Sequence, residues 1–282
     1  MKNLKVIILL LFSFLPSILE AGVLDDARRF ERIYLRTAIK VHAKPTDVLG
    51  TGLFTKFEQE PSKLIFTTNK HTIDGAKELE LTVPITDTAD VIIKTLTINV
   101  PLYKDTLRQY YIPKEGFDIV LIVIEKEALR KADFSSDVIR FASLPYSWYI
   151  DAHNLFVGQS VVFTGYPLGL TVNRTQPLLR KGTIAGIDTT RNIIFLDADA
   201  FGGSSGSPVF IDYSTQANIE FYKIYKQMLV GIISGYLPFK KKQINNQTGK
   251  IEMVQTENSG IAVVVPAETI RKIADRFLAE YK

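Results

Sequence analysis

A chain of 282 residues, 46% of them hydrophobic, is long enough to bury one large core or two smaller ones, and too apolar to be disordered. The formal charge of +4 is small and both signs are scattered, which argues against a nucleic-acid-binding surface. Without cysteine, disulfides, thiol nucleophiles and cysteine-ligated metals are excluded. Of the histidines His42, His71 and His153, none has a second histidine at ligand spacing, so neither a metal nor another cofactor is expected.

The chain opens as a targeting segment. Lys2 and Lys5 form a short basic region, Val6 to Leu15 is almost wholly apolar, and Pro16 to Ala21 reads as a break and cleavage region. A signal peptide over 1–21 is expected, with export to a bacterial periplasm or beyond the cell and no stable membrane span afterwards. The apolar run falls short of the ~20 residues a comfortable span needs, and an uncleaved anchor is the alternative. Leu24 to Arg32 reads as one or two helical turns. Six runs rich in β-branched and aromatic residues follow, separated by turn residues: Tyr34 to Val41, Val48 to Phe57, Leu64 to Thr68, Leu79 to Ile85, Val91 to Val100 and Ile119 to Ile124. A connection over Glu125 to Asp137 leads to a second group: Val138 to Ala142, Ser160 to Gly165, Lys181 to Ile187, Asn192 to Asp197, Pro208 to Ile211, Met228 to Ser234 and Gly260 to Val265. Many short strands at regular spacing predict barrels or a sandwich. Lys240-Lys241-Lys242, in a polar stretch running to Lys250, reads as a solvated loop. Pro266 can start a final helix over 267–281, whose apolar face (Ile270, Ile273, Ala274, Phe277, Leu278, Tyr281) is expected to pack on the last barrel.

Three residues at strand ends carry chemistry. His71 lies just past the run that ends at Thr68. Asp118 leads directly into the apolar Ile119 to Ile122. Ser205 sits in Gly203-Ser204-Ser205-Gly206-Ser207-Pro208, where glycines permit a tight turn and close approach of backbone N–H groups to a substrate. Each alone has an ordinary explanation: a satisfied histidine, an exposed strand-start aspartate, a loop. Together they supply a hydroxyl, a base to activate it and a carboxylate to orient the base. Their order is His, Asp, Ser, with the first two in the first strand group and the serine in the second. A cleft between two barrels would bring them together.

With these segments the chain resembles a chymotrypsin-fold (trypsin-like) serine protease, nearest the HtrA-like and glutamyl endopeptidase branches of exported bacterial enzymes. Gly50-Thr51-Gly52-Leu53-Phe54 is similar to the Gly-Ser-Gly-Phe strand before the histidine. Thr68-Asn69-Lys70-His71 is similar to Thr-Asn-x-His, Phe117 to Leu121 to Asp-x-Ala-Leu, and Gly203 to Phe210 to Gly-Asn-Ser-Gly-Ser-Pro-Val-Phe. Gly165-Tyr166-Pro167 and Val230 to Gly235 add support.

The resemblance implies an all-β fold. It would comprise two six-stranded antiparallel barrels (about 32–130 and 137–265) and a C-terminal helix, in a protease domain over 22–282 without a PDZ domain. It also implies hydrolysis of peptide bonds in protein or peptide substrates through an acyl-enzyme. Ser205 would be the nucleophile, His71 the general base, Asp118 its orienting group, and the Gly203 and Ser205 amides the oxyanion hole. The alternative is a protease-fold binding or toxin-like protein with weak or very narrow activity.

Departures from the pattern matter. Ser204 stands where trypsin-like enzymes carry the aspartate that a new N-terminus pairs with, so no zymogen switch of that kind is expected. For the pocket, Asp199 lies six residues before Ser205, the position that selects basic side chains in trypsin-like enzymes. In the HtrA-like alignment Asp197 is the strand aspartate and Asp199 need not face the pocket. Ser234, Gly235 and Tyr236 are expected on another wall. The only histidine of the second half, His153, lies well upstream, which argues against glutamate specificity.

Overall fold

The structure, a computed structural model, describes residues 31–57, 61–132, 143–213, 229–244, 247 and 251–280. The expected signal peptide over 1–21 and the strand expected over Val138 to Ala142 lie outside the described residues. The protein is mostly β, in two strand groups with short helices. Among the described residues no helix is long and apolar enough to cross a membrane.

Alternation of apolar and polar side chains sets the faces of the first group. In β1 (Ile39–Lys44), Ile39, Val41 and Ala43 are buried while Lys40, His42 and Lys44 turn outward. β1 pairs antiparallel with β2 (Val48–Lys56) and β4 (Glu78–Thr86). β2 continues to β3 (Lys63–Thr68) and β8 (Val120–Glu125), and β4 to β5 (Ile92–Pro101). The path β5-β4-β1-β2-β3-β8 is therefore six antiparallel strands, joined by a short parallel strand, β9 (Ser143–Pro145), beside β2. Its end strands, β5 and β8, do not pair with each other among the described residues. A cavity of about 530 Å³ lies between them, lined by Ile98, Val100, Ile122, Ile124 and, on the short helix α3 (Lys126–Lys131), Leu129. Two minor strands, β6 (Tyr103–Lys104) and β7 (Leu107–Arg108), form a separate hairpin.

The second group closes completely. β10 (Ser160–Gly165), β11 (Leu178–Asp188), β12 (Ile193–Asp197), β13 (Pro208–Ile211), β14 (Leu229–Ile244) and β15 (Ile251–Pro266) form a barrel in the order β10-β11-β12-β15-β14-β13. This is a chymotrypsin-like arrangement.

Three expectations change. Residues 31–37 are helical (α1), where a strand was expected to begin at Tyr34. The reason is where Tyr34 goes. Its ring stacks on Phe210 at 5.0 Å and its hydroxyl donates to the Ile211 carbonyl at 2.9 Å, both in the second barrel. Lys240 to Lys242 are not loop; they continue β14, opposite Thr256, Gln255 and Val254 of β15. And α4 (Ala267–Glu280) does not pack on the last barrel alone. Ile270, Ile273 and Phe277 join one core with Leu53, Ile65 and Leu121 of the first strand group and Phe210 and Val265 of the second. Phe277 stacks on Tyr111 at 4.9 Å. Each such buried side chain stabilises the junction by roughly 1.5–3 kcal/mol, so α4 fastens the two strand groups that flank the cleft.

Candidate active site

The register of β3 against β8 brings the histidine to the aspartate. Thr68 pairs with Val120, so the C-terminal end of β3 lies beside the N-terminal end of β8. Beyond Thr68 the chain turns into the single helical turn α2 (Lys70–Ile73), which holds His71; Asp118 lies two residues before β8. Asn69 fastens the junction by donating its side-chain N–H to the Asp118 carbonyl at 2.7 Å.

The Asp118 carboxylate accepts three hydrogen bonds. One oxygen takes the His71 backbone N–H at 3.0 Å. The other takes the His71 ring at Nδ1, 2.6 Å away, and the Ser234 hydroxyl at 3.0 Å. An ionised carboxylate only accepts, so Nδ1 carries the proton of the neutral ring and Nε2 is left as an acceptor. Nε2 lies 2.8 Å from Ser205 Oγ. The hydroxyl therefore donates to a lone pair on Nε2, the geometry of a serine with its general base. The three residues lie 47 and 134 positions apart in sequence, yet form one continuous relay.

The serine loop is held by its carbonyls. Gly202 O accepts from Leu168 N (2.6 Å), Gly203 O from Thr51 Oγ1 (2.8 Å), Ser204 O from Ser207 N (3.0 Å) and Ser205 O from Thr51 N (2.7 Å). A planar trans peptide points its N–H opposite to the preceding C=O. Anchoring Gly202 O and Ser204 O therefore turns the Gly203 and Ser205 amides the other way. Among the described residues neither amide has a protein acceptor, leaving two donors beside the hydroxyl for a developing oxyanion. Gly203 must be glycine here: its φ is +87°, and a Cβ would overlap the Tyr166 carbonyl. Ser204, expected to be unlike the family pattern, is buried, and its Oγ accepts the Phe201 N–H at 3.3 Å. It closes the turn locally, without a charged partner among the described residues.

Beside Ser205 opens a cavity of about 330 Å³ whose walls include Ala200, Phe201, Ile233, Ser234, Gly235 and Tyr236. Of the expected pocket residues, Ser234, Gly235 and Tyr236 line it. Asp199 does not: it is exposed, and its main-chain carbonyl accepts from Arg180 at 2.6 Å. The Arg180 guanidinium lies over the Phe201 ring at 5.1 Å and the Phe163 ring at 5.2 Å, bracing the pocket wall from behind.

Two contributions escaped sequence reasoning. Ser234 was expected as pocket wall, yet its hydroxyl also bonds Asp118. Thr51 holds Gly203 O and Ser205 O, and its hydroxyl accepts from Tyr166 N. The only signal for Thr51 was its place between Gly50 and Gly52. Removing the Ser234 hydroxyl takes one charge-assisted bond from the carboxylate without disturbing the histidine tautomer. Ser234→Ala is therefore expected to lower kcat about tenfold with KM nearly unchanged, measured by steady-state peptide hydrolysis.

A family model described as a trypsin-like peptidase domain matches residues 50–216. No curated protein matches the chain. Among solved structures, the serine endoprotease from Yersinia pestis is 14% identical, with 91% of this chain and 68% of that one covered at a TM-score of 0.51. An HtrA-type protease, AlgW, solved with a tripeptide is 13% identical, with 88% and 62% covered at a TM-score of 0.52. At these identities the likeness is one of fold.

Proposed function

The chain belongs to the trypsin-like peptidase family, and on that premise we propose that it is an exported serine endopeptidase acting through His71, Asp118 and Ser205. The reading extends to a leader over 1–21 and a mature protease domain over 22–282, placed in a bacterial periplasm or secreted. The observation that carries it is the relay of 2.6 Å and 2.8 Å from Asp118 through His71 to Ser205.

In the first half-reaction, Ser205 Oγ bonds to the scissile carbonyl carbon as its proton passes to His71 Nε2. The Gly203 and Ser205 amides stabilise the oxyanion, a contribution of about 3–4 kcal/mol for one such donor. The imidazolium is stabilised by Asp118 and then gives its proton to the leaving amine as the C–N bond breaks. In the second half, water loses a proton to Nε2 and its oxygen bonds to the acyl carbon. Collapse expels Ser205 Oγ, which recovers the proton.

The pocket supports a class of P1 residue. Apart from the His71 ring and the Tyr236 phenol, its lining among the described residues has no ionisable side chain, and so no carboxylate, lysine or arginine. A lysine, arginine or glutamate side chain buried there would lack a partner, which is costly. Aliphatic P1 residues are favoured, by an expected margin of roughly 100-fold in kcat/KM over charged ones.

The test combines two measurements on the mature protein. A fluorophosphonate probe is expected to label Ser205, located by peptide mass mapping, and a peptide-library profile to return alanine, valine or leucine at P1. Failure of the folded protein to label, while a control protease labels, would leave a protease-fold binding protein as the better description. Cleavage after lysine or arginine would overturn the pocket reading alone.

A further inference from the structure

β14 continues well beyond the barrel it helps to close. Leu229, Gly231 and Ile232 pair with β13 on one edge and β15 runs along the other. Ile233 is held on the β13 side by the serine loop, exchanging bonds with Gly206 and Ser207. From Ser234 onward that edge has no partner strand among the described residues, although β14 runs on to Ile244. The free edge thus starts at the wall of the candidate pocket and leads away from it. An unpaired edge presents backbone donors and acceptors to which an extended chain can add.

The ribbon has a character of its own. Every residue from Tyr236 to Lys242 is exposed, and Phe239, Ile251 and Val254 are each more than half exposed. A bare two-stranded ribbon projecting from a barrel is marginal in water. Between Leu237 and Glu257 the sequence carries four lysines against two glutamates. Lys241 lies 3.9 Å from Glu257. Alternation along the regularly paired stretch from Pro238 to Gln243 puts Lys240 and Lys242 on one face of the ribbon and Lys241 on the other.

We propose that the β14 edge beyond the pocket, from Leu237 to Lys242, takes an acidic polypeptide segment that lies far upstream of the scissile bond, N-terminal to the residues held beside the pocket. The proposal rests on the peptidase reading above. The N-terminal half of the substrate is the half retained on Ser205 as the acyl group, so docking it does not hinder departure of the amine. With equal rise per residue on both strands, Lys240 and Lys242 meet side chains roughly six to eight residues upstream of the one in the pocket. A second copy of this ribbon is a poor occupant, because pairing would set lysine rows against each other.

Fluorogenic peptides sharing one cleavable core test this. One is the bare core, one carries an acidic upstream extension, one a glycine-serine extension of equal length, and one the acidic extension downstream. The ratio of kcat/KM to that of the bare core is read for the wild type, Lys240→Glu/Lys242→Glu and Lys240→Ala/Lys242→Ala. The upstream acidic extension is expected to raise kcat/KM about fivefold in the wild type. The gain should vanish in both variants and in 1 M salt, where the screening length is about 3 Å. Anisotropy of the labelled acidic peptide on Ser205→Ala reads the same preference without turnover, so an uncleaved core counts against the peptidase reading and leaves docking measurable. Equal ratios for acidic and neutral extensions, a gain from the downstream one, or a gain that survives charge reversal each overturn the proposal. So does a dimer abolished by Lys240→Glu/Lys242→Glu with no extension effect.

Discussion

Replacing Ser205 by alanine is expected to lower kcat for peptide hydrolysis by roughly a millionfold, the scale on which removing the nucleophile of a serine protease acts. What survives would come from the oxyanion amides and from substrate binding, so KM should stay within about threefold. The variant should fold: alanine removes one partly exposed hydroxyl and its 2.8 Å bond to His71, a change of about 1 kcal/mol. Thermal melting run beside the kinetics separates lost chemistry from lost structure. The neighbouring serines are poor substitutes. Ser204 is buried and committed to Phe201 N, and Ser207 is buried, with its amide on Ser204 O. Retention of more than about a hundredth of the activity by folded Ser205→Ala would assign the nucleophile elsewhere.

Some of this site was readable because its signals are local. Glycines around Ser205, and strands ending at Thr68 and beginning after Asp118, are short-range features. Strands bounded by turn residues also came out with the right limits, as at Ser160 to Gly165 and Pro208 to Ile211. What escaped depends on partners distant in sequence. Tyr34 has the composition of a strand residue, but its place is fixed by Phe210 and Ile211, some 177 positions away. The lysine run looked like loop because it is charged and sits in a polar stretch running on to Lys250. Only its pairing with Thr256 and Gln255 makes it strand, and that pairing creates the free edge next to the pocket. Ser234 reaches Asp118 across 116 positions, with nothing in the neighbouring sequence to announce it.

Asp118→Asn should cost roughly ten thousandfold in kcat, less than loss of the nucleophile and far more than loss of Ser234. The carboxylate accepts from the His71 amide, His71 Nδ1 and Ser234 Oγ. An asparagine offers one accepting oxygen and one donating NH2. If the oxygen faces Nδ1, the NH2 meets the His71 backbone N–H, donor against donor. If the NH2 faces Nδ1, the ring must move its proton to Nε2, where it can no longer accept from Ser205. Either orientation also removes the negative charge that stabilises the imidazolium. The misfit should reduce stability by about 1–3 kcal/mol, visible in denaturant unfolding, while KM changes little. The double variant Ser205→Ala/Asp118→Asn discriminates most sharply. A carboxylate that acts only through the histidine has nothing left to do once the hydroxyl is gone, so the double variant should be no slower than Ser205→Ala alone. If the two losses multiplied instead, Asp118 would be acting on some step that does not pass through Ser205.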